Sequence, residues 1–455
     1  MVAPNQQSIS IAIIGGGPGG LGTAIALSAL PFVSVTLYEQ APEPREVGAG
    51  LSIGRNAWNV LNLLGAAERV RGGKLGTSWQ RNGRTGEVVH TDASHATPAE
   101  EKKDEAKQEE EDPRFASIRA RRTRLQAALL DKVPDGTIQF GKKLAEIWDL
   151  GEGKGVKLRF QDGMETTADF VVGADGIRSI VRRTIFPDHH LHVTGNTAFR
   201  VLIPLSSIAH VKDFPAENGW WHGLNGHIYF APVDDDSEIQ DKDESQLFEI
   251  TVRSYNEPIS PDRTATWAVP IMNEKVLART AEYEARIQSV LRAVPEGSWR
   301  EFAMVAGPCL AEITAWDKVA LIGDASHPLS GAFGSGAAFA MEDGWILARA
   351  LEREYSRNGN GSLSMAAKAT AIRNALRIFQ VIRGPYYERM YDFLASREKH
   401  SQGTRKEDDV DFGSIIKARV AGLGFVAGGK MDWIYKNDIE QVWKEYVAGE
   451  QVARL

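Results

Sequence analysis

A chain of 455 residues with 43% hydrophobic and 25% charged residues is long enough for two or three domains and has the composition of an ordinary globular protein. Its net charge of −7 argues against nucleic acid or an anionic membrane as the main partner, and one cysteine, Cys309, excludes an intramolecular disulfide. No stretch reaches the roughly 20 apolar residues of a membrane span, and the start of the chain is too polar for a signal peptide, so a cytoplasmic location is expected. The terminal Ala453-Arg454-Leu455 loosely resembles a peroxisomal address, which keeps that compartment as the alternative.

Residues 9–14 form an isoleucine-rich run that reads as a strand buried on both faces. A glycine cluster follows, and 21–30 reads as a small-residue helix. Gly15, Gly17 and Gly20 fit G-x-G-x-x-G: a tight turn, a close approach to a pyrophosphate, and helix-on-strand packing. The free N–H groups of the helix start would face the phosphates. A second strand, 33–38, ends in Glu39, about 20 residues past the last motif glycine, where a ribose-binding carboxylate belongs. This unit points to a dinucleotide and leaves NAD, NADP and FAD open.

Further on, the spacing predicts a helix over 56–70. Residues 100–112 hold eight acids and three lysines, which reads as a solvated insertion. A basic helix is expected over 119–131, its arginines a solvated face or a site. A hairpin at 156–160 and 166–172 runs into Gly173-Ala-Asp175-Gly176, with Ser179 placed to cap the next helix. From 196 to 269 strands and aromatics dominate, with Ala198, Arg200 and Leu202 on one strand face and a second acidic loop at 234–244. A helix is expected at 282–293. The α/β pattern then returns: a buried strand at 319–322 ends in Gly323-Asp324, and a long helix covers about 334–355. Residues 366–399 read as largely helical with a break at Gly384-Pro385.

Three separated stretches, Gly15 to Glu39, Gly173-Ala-Asp175-Gly176 and Gly323-Asp324-Ala-Ser-His327-Pro328, together resemble the single-component FAD-dependent aromatic monooxygenases of the salicylate hydroxylase and para-hydroxybenzoate hydroxylase type. The insertions are like those of many fungal versions. The resemblance implies an α/β fold: a discontinuous Rossmann-like FAD-binding domain (1–190 and 300–395), an inserted β-sheet substrate domain (191–299) and a C-terminal helical tail (396–455). It implies FAD, with NAD(P)H as co-substrate, an aromatic small molecule and O₂ as reaction partners, and a monomer or homodimer. Glu39 would bind the adenosine ribose, and Gly50 would lie in a stretch passing the flavin. Arg122 would reach FAD from a helix, Asp175 belongs to a motif tied to FAD and NAD(P)H, and Asp324 would bind the ribityl and pyrophosphate region. Ala337 would face the isoalloxazine ring through backbone N–H groups. His327 is assigned no chemistry, and Cys309 reads as a small buried residue.

The expected reaction is hydroxylation of a phenolic or polyketide-like molecule through a flavin hydroperoxide; epoxidation or dearomatising hydroxylation is the alternative, and a non-catalytic escort protein on the same fold a remote one. Arg200, a charge between apolar strand residues, is the candidate catalytic cation, the alternative being a strand arginine paired with an acid on the next strand. Tyr229 is the candidate base or proton relay, with core packing as the alternative and His222 and His227 as substitutes. Trp220, Trp221 and Trp267 suit an aromatic pocket or a strand core.

Overall fold

The computed structural model describes residues 8–43, 50–92, 116–235, 246–256, 268–357, 364–403, 411–421 and 431–452. The acidic stretch 100–112, Trp267, most of 234–244 and Ala453-Arg454-Leu455 lie outside them. The isoleucine run becomes the strand Ile9–Ile14, the centre of a six-stranded sheet. It pairs in parallel with Val33–Tyr38 on one side and Phe170–Gly173 on the other, and Phe170–Gly173 pairs with Val319–Leu321. Burial on both faces explains the absence of alternation. Ile9, Ile11 and Ile13 pack under the helices, while Ala12 and Ile14 face the hairpin layer. That layer has a third strand not expected from the pattern, Leu144–Asp149, antiparallel to Val156–Phe160. The helices on the other face are Pro18–Ser28 and Gly336–Arg357.

The second sheet has eight strands, and its membership crosses the 191–299 segment. Its centre is His192–Pro204, Leu247–Ser254 and Gly226–Pro232. Ser78–Asn82 and Val88–Asp92 extend one end from far upstream, and Arg300–Ala306 and Val269–Pro270 extend the other. The sheet is two-faced. Phe199, Val201, Phe230, Phe248, Ile250 and Trp221 point into a core closed by Val276, Ile287, Val290 and Leu291. Those four come from two helices, Asn273–Arg279 and Ala285–Arg292, where one was expected. The opposite face is polar and looks toward the nucleotide-binding layer.

Other element boundaries also differ from expectation. The helix expected at 56–70 runs only over Arg55–Leu63 and stops before Gly65, which takes a left-handed φ of 69°. The basic stretch splits into a strand, Ile118–Arg121, and a helix, Arg122–Leu130, because its first residues pair with Gly50–Ile53. The expected break at Gly384-Pro385 is absent: one helix runs over Met365–Gly403 with Pro385 inside it. A proline costs a helix interior about 3 kcal/mol. Here its neighbours Arg383 and Tyr387 are fully buried and held by Asp343, which keeps the two halves in register.

That contact is the centre of a buried network. Asp343 accepts from Arg383 Nε (2.7 Å), the Tyr387 hydroxyl (2.5 Å) and the Gly323 amide (2.9 Å), and lies 3.3 Å from His327 Nε2. Arg383 also pairs with Glu342 at 3.1 Å, and Asn437 Nδ2 donates to the other Glu342 oxygen. Arg383→Met should destabilise the protein by about 3–5 kcal/mol, because it leaves buried carboxylates without their arginine. Denaturant unfolding monitored by circular dichroism measures it.

Candidate active site

The glycine-rich turn is shaped by close approach. A Cβ on Gly15, whose φ is 110°, would run into the Ala174 carbonyl, and one on Gly20 into the carbonyl of Gly15. Beside Gly17, by contrast, there is open space. Gly17 is the N-cap of Pro18–Ser28 and offers no side-chain cap, so the first N–H groups of this helix face that space unsatisfied by a cap. Glu39 folds back onto the turn: its carboxylate accepts from Gly16 N (2.6 Å) and Ala41 N (2.7 Å).

Asp324 stands across from this turn on the loop after Val319–Leu321 and is exposed while its neighbours Gly323 and Ala325 are buried. Crowding by the surrounding protein pushes its carboxyl above the ordinary range, against the pull of His327, Arg122 and Arg182. Gly336 opens the next helix with Asp324 as its only near neighbour on the Cβ side, and Ala337 lies in that helix's first turn, partly exposed. An uncapped helix start, an accessible carboxylate and open glycine backbone suit an extended dinucleotide, and Arg122 lies near enough to Asp324 to act on its charge.

Asp175 is placed differently. One carboxylate oxygen accepts from Ile180 N (2.7 Å) and Val181 N (3.2 Å), so it helps cap the helix Ile180–Ile185. Ser179 caps the same helix through Arg182 N (2.8 Å), as expected. Arg182 is 1% exposed; its Nη1 donates to the Asp324 and Ala325 carbonyls (3.0 and 2.9 Å) and Nη2 to that of Ile177 (2.5 Å). This residue ties the Asp175-Gly176 turn to the Gly323-Asp324 loop. Sequence reasoning passed over it; its only signal was a charge on the buried side of a short helix.

Three of the four arginines at 119–124, expected as a solvated face or a site, are paired. Arg119 makes a two-point bond to Glu249 (2.6 and 2.9 Å), and Arg121 and Arg124 both hold Asp234. Asp234 is therefore 3% exposed, which corrects the reading of it as solvated loop: two cations need an anion there. Gly50 sits directly on the Arg119–Glu249 pair, where a Cβ would strike the Glu249 carboxylate. The strand passing the cleft is thus seated on the polar face of the eight-stranded sheet.

Along that face the register aligns Arg200, Thr251, Tyr229, Trp220 and Gln80 in one row. Arg200 Nε is buried with no hydrogen-bond partner, and its guanidinium lies 5.5 Å from the Phe302 ring. Among the described residues Arg200 forms no ion pair to the next strand: Thr251 stands opposite it, and Glu249, whose charge still acts on Arg200, is bonded to Arg119. Burial lowers Arg200 to about 10, so it stays charged at neutral pH. Tyr229 is buried beside Trp220 (4.5 Å between rings), with Arg119 5.2 Å from its ring centre. Burial raises its phenol to about 12, partly opposed by Arg119. In the next row His222 bonds Gln80 (2.7 Å) and His227 bonds Tyr255 (2.8 Å). Burial takes His222 down to about 3 and His227 well below its ordinary value, so both are neutral. Trp221 points into the opposite, apolar core and is no part of the site. Glu249 and Arg253 were missed, although Phe248-Glu-Ile-Thr-Val-Arg253 carries the same two-residue alternation as the Arg200 strand.

A dinucleotide cleft joined to the polar face of a second sheet defines a two-part flavoprotein architecture. The family model described as FAD binding domain matches residues 8–380. The chain belongs to this family and is an FAD-dependent monooxygenase of the aromatic-hydroxylase type. It is 28% identical to salicylate hydroxylase of Pseudomonas putida over 78% of this chain and 80% of that protein. It is 26% identical to a 6-methylsalicylate 1-monooxygenase of Aspergillus terreus over 96% and 91%. A salicylate hydroxylase substrate complex shares the fold with a TM-score of 0.71 at 22% identity, covering 96% of this chain and 98% of that one.

Two outcomes follow. Asp324→Ala should weaken FAD binding by about tenfold or more, a change of about 1.4 kcal/mol, read by flavin fluorescence titration. Burial raises Glu342 to about 7, against the pull of Arg383, while in the unfolded chain it ionises near 4.5. Its contribution to stability is therefore complete below about pH 4.5 and is lost as pH rises toward 7. The difference between wild-type and Glu342→Gln unfolding free energies should change across that window and be flat above it.

Proposed function

We propose that the protein uses NAD(P)H and O₂ to hydroxylate a phenolic or polyketide-like aromatic, with Arg200 holding the ionised phenol and Tyr229 relaying its proton. The observation that carries this reading is the half-buried Arg200, its Nε buried with no hydrogen-bond partner among the described residues, in one row with Tyr229 on the sheet face that seats Gly50. Bound FAD supplies the redox chemistry, accepting electrons from NAD(P)H and allowing one oxygen atom of O₂ to reach an electron-rich ring. The remaining tasks belong to side chains. Gly15, Gly17, Gly20 and Glu39 hold the adenosine end, and Arg122, Asp324 and the Ala337 turn hold the rest. Asp175 acts through the turn it caps.

A cation beside the phenol oxygen favours the phenolate and so the electron-rich ring. Arg200 can do this because no carboxylate among the described residues is bonded to it. Tyr229 keeps its proton at neutral pH, which suits a donor within a relay rather than a base. Neutral His227 and His222 extend the polar path away from the cleft. Names of relatives support an aromatic substrate: salicylate hydroxylase, 6-methylsalicylate 1-monooxygenase and 3-hydroxybenzoate 6-hydroxylase all act on hydroxyaryl acids.

The test is purification with FAD followed by NAD(P)H oxidation and product analysis across phenols, salicylates and polyketides. A yellow protein whose NAD(P)H oxidation yields a hydroxylated product supports the reading; a protein that cannot be loaded with FAD overturns it. Arg200→Ala should lower product formation by about 100-fold or more while FAD stays bound. Unchanged turnover would reject the role of Arg200.

A further inference from the structure

The loop from His327 to Gly336 carries the chain into the Ala337 turn, and its own conformation is unfavourable. Ser330 has a left-handed φ of 56°, which is costly for a residue with a Cβ. Its hydroxyl oxygen is buried with no hydrogen-bond partner among the described residues. Gly331 and Gly334 take the same left-handed region, at 67° and 70°. The loop's backbone bonds include tight turns: Leu329 N to the His327 carbonyl, Ala332 N to that of Leu329, and Gly334 N to that of Gly331. Glycine at 330 would suit this backbone better than serine, so contacts from outside have to hold the loop.

Such contacts come from far down the chain, past residues 8–380 that the family model matches. Met431 and Ile434 form one apolar cluster with Leu329, Phe333 and Phe339, and the two large apolar side chains of the loop are thereby buried. The Tyr435 hydroxyl, at the end of the short helix Asp432–Tyr435, donates to the Phe333 carbonyl at 3.1 Å. Two residues on, Asn437 fixes the same segment to two helices. Its Nδ2 donates to Glu342 of Gly336–Arg357 at 2.9 Å, and its carbonyl accepts from Asn59 Nδ2 of Arg55–Leu63 at 3.1 Å. The latter helix follows directly on the strand Gly50–Ile53. Residues 431–437 therefore bond the loop, the helix it feeds and the helix after the Gly50 strand.

We propose that residues 431–437 are a clasp that completes the FAD site, with Tyr435 as a positioning residue acting through the Phe333 carbonyl on the backbone that leads to Ala337. The inference rests on FAD lying along the Ala337 turn and is independent of the substrate and of hydroxylation. A loop without its clasp relaxes away from the strained form, and FAD affinity falls with the fraction still held in it. The strain at Ser330 is what gives the clasp its effect: with glycine there, the loop keeps its form with less help.

The test uses the holoenzyme, with FAD affinity read by flavin fluorescence titration and FAD release by recovery of flavin fluorescence on dilution. Tyr435→Phe removes one half-buried hydroxyl and leaves the ring in place. It should weaken FAD binding and speed release by about threefold or more, as expected for the loss of one neutral hydrogen bond. Adding Ser330→Gly should bring both values back to within about twofold of wild type. Unchanged FAD affinity in Tyr435→Phe overturns the proposal. So does a loss that Ser330→Gly leaves unrestored, which marks general destabilisation. Asp324→Ala separates the clasp from the reading of the cleft. If Asp324→Ala weakens FAD binding and Tyr435→Phe does not, the clasp fails and the cleft stands; if neither weakens it, both fail.

Discussion

The arrangement depends on one buried carboxylate. Asp343, in the first half of a long helix, accepts from Arg383, Tyr387 and the amide of Gly323, and so fixes the loop that carries Asp324. Burial opposes its ionisation, yet Arg383 and His327 bring it down to about 2, which makes it a permanent anion at working pH. One arginine cannot offset two buried carboxylates equally, and burial pushes the neighbouring Glu342 up to about 7. The network explains the histidine of Gly323-Asp324-Ala-Ser-His327 without giving it chemistry. His327 stacks on Tyr387 at 3.8 Å and sits beneath the loop as support.

Two further arginines extend this logic outward. Arg182 crosses from the helix after Asp175 to the carbonyls of Asp324 and Ala325, and Arg119 crosses from the strand beside Gly50 to Glu249. The Asp324 loop is thus held by Asp343 and Arg182, and the strand paired with Gly50–Ile53 is held against the second sheet by Arg119. The paired arginines position backbone, whereas Arg200 Nε is buried with no hydrogen-bond partner among the described residues.

Much of the nucleotide cleft was legible because its signals are local. The isoleucine strand, the glycines and Glu39 lie within one βαβ unit, and each needs only its neighbours to be interpreted. The same holds for Ser179 as a cap. Partners far apart in the chain were not legible: Arg182 with Asp324, Asp343 with Arg383, Arg119 with Glu249. The strands Ser78–Asn82 and Val88–Asp92 escaped notice because they are short and largely polar, one face being turned toward the site. The arginine run at 119–124 looked like a surface helix, since nothing nearby announces Glu249 or Asp234. Arg200 stood out as a charge among apolar neighbours, and Arg253, in an equally regular alternation, did not.

The wide spacing of the cleft's parts has a consequence for how the protein is made. Ile9–Ile14 needs Phe170–Gly173, which needs Val319–Leu321, and the loop beyond is bonded to Asp343, whose own partner Arg383 comes later still in the chain. During synthesis the first half of the chain therefore carries an open sheet edge and an incomplete cradle. Such long-range closure is slow relative to local helix formation. Cofactor capture must come after most of the chain has emerged, and the nascent chain spends that interval without the anchor its central sheet requires.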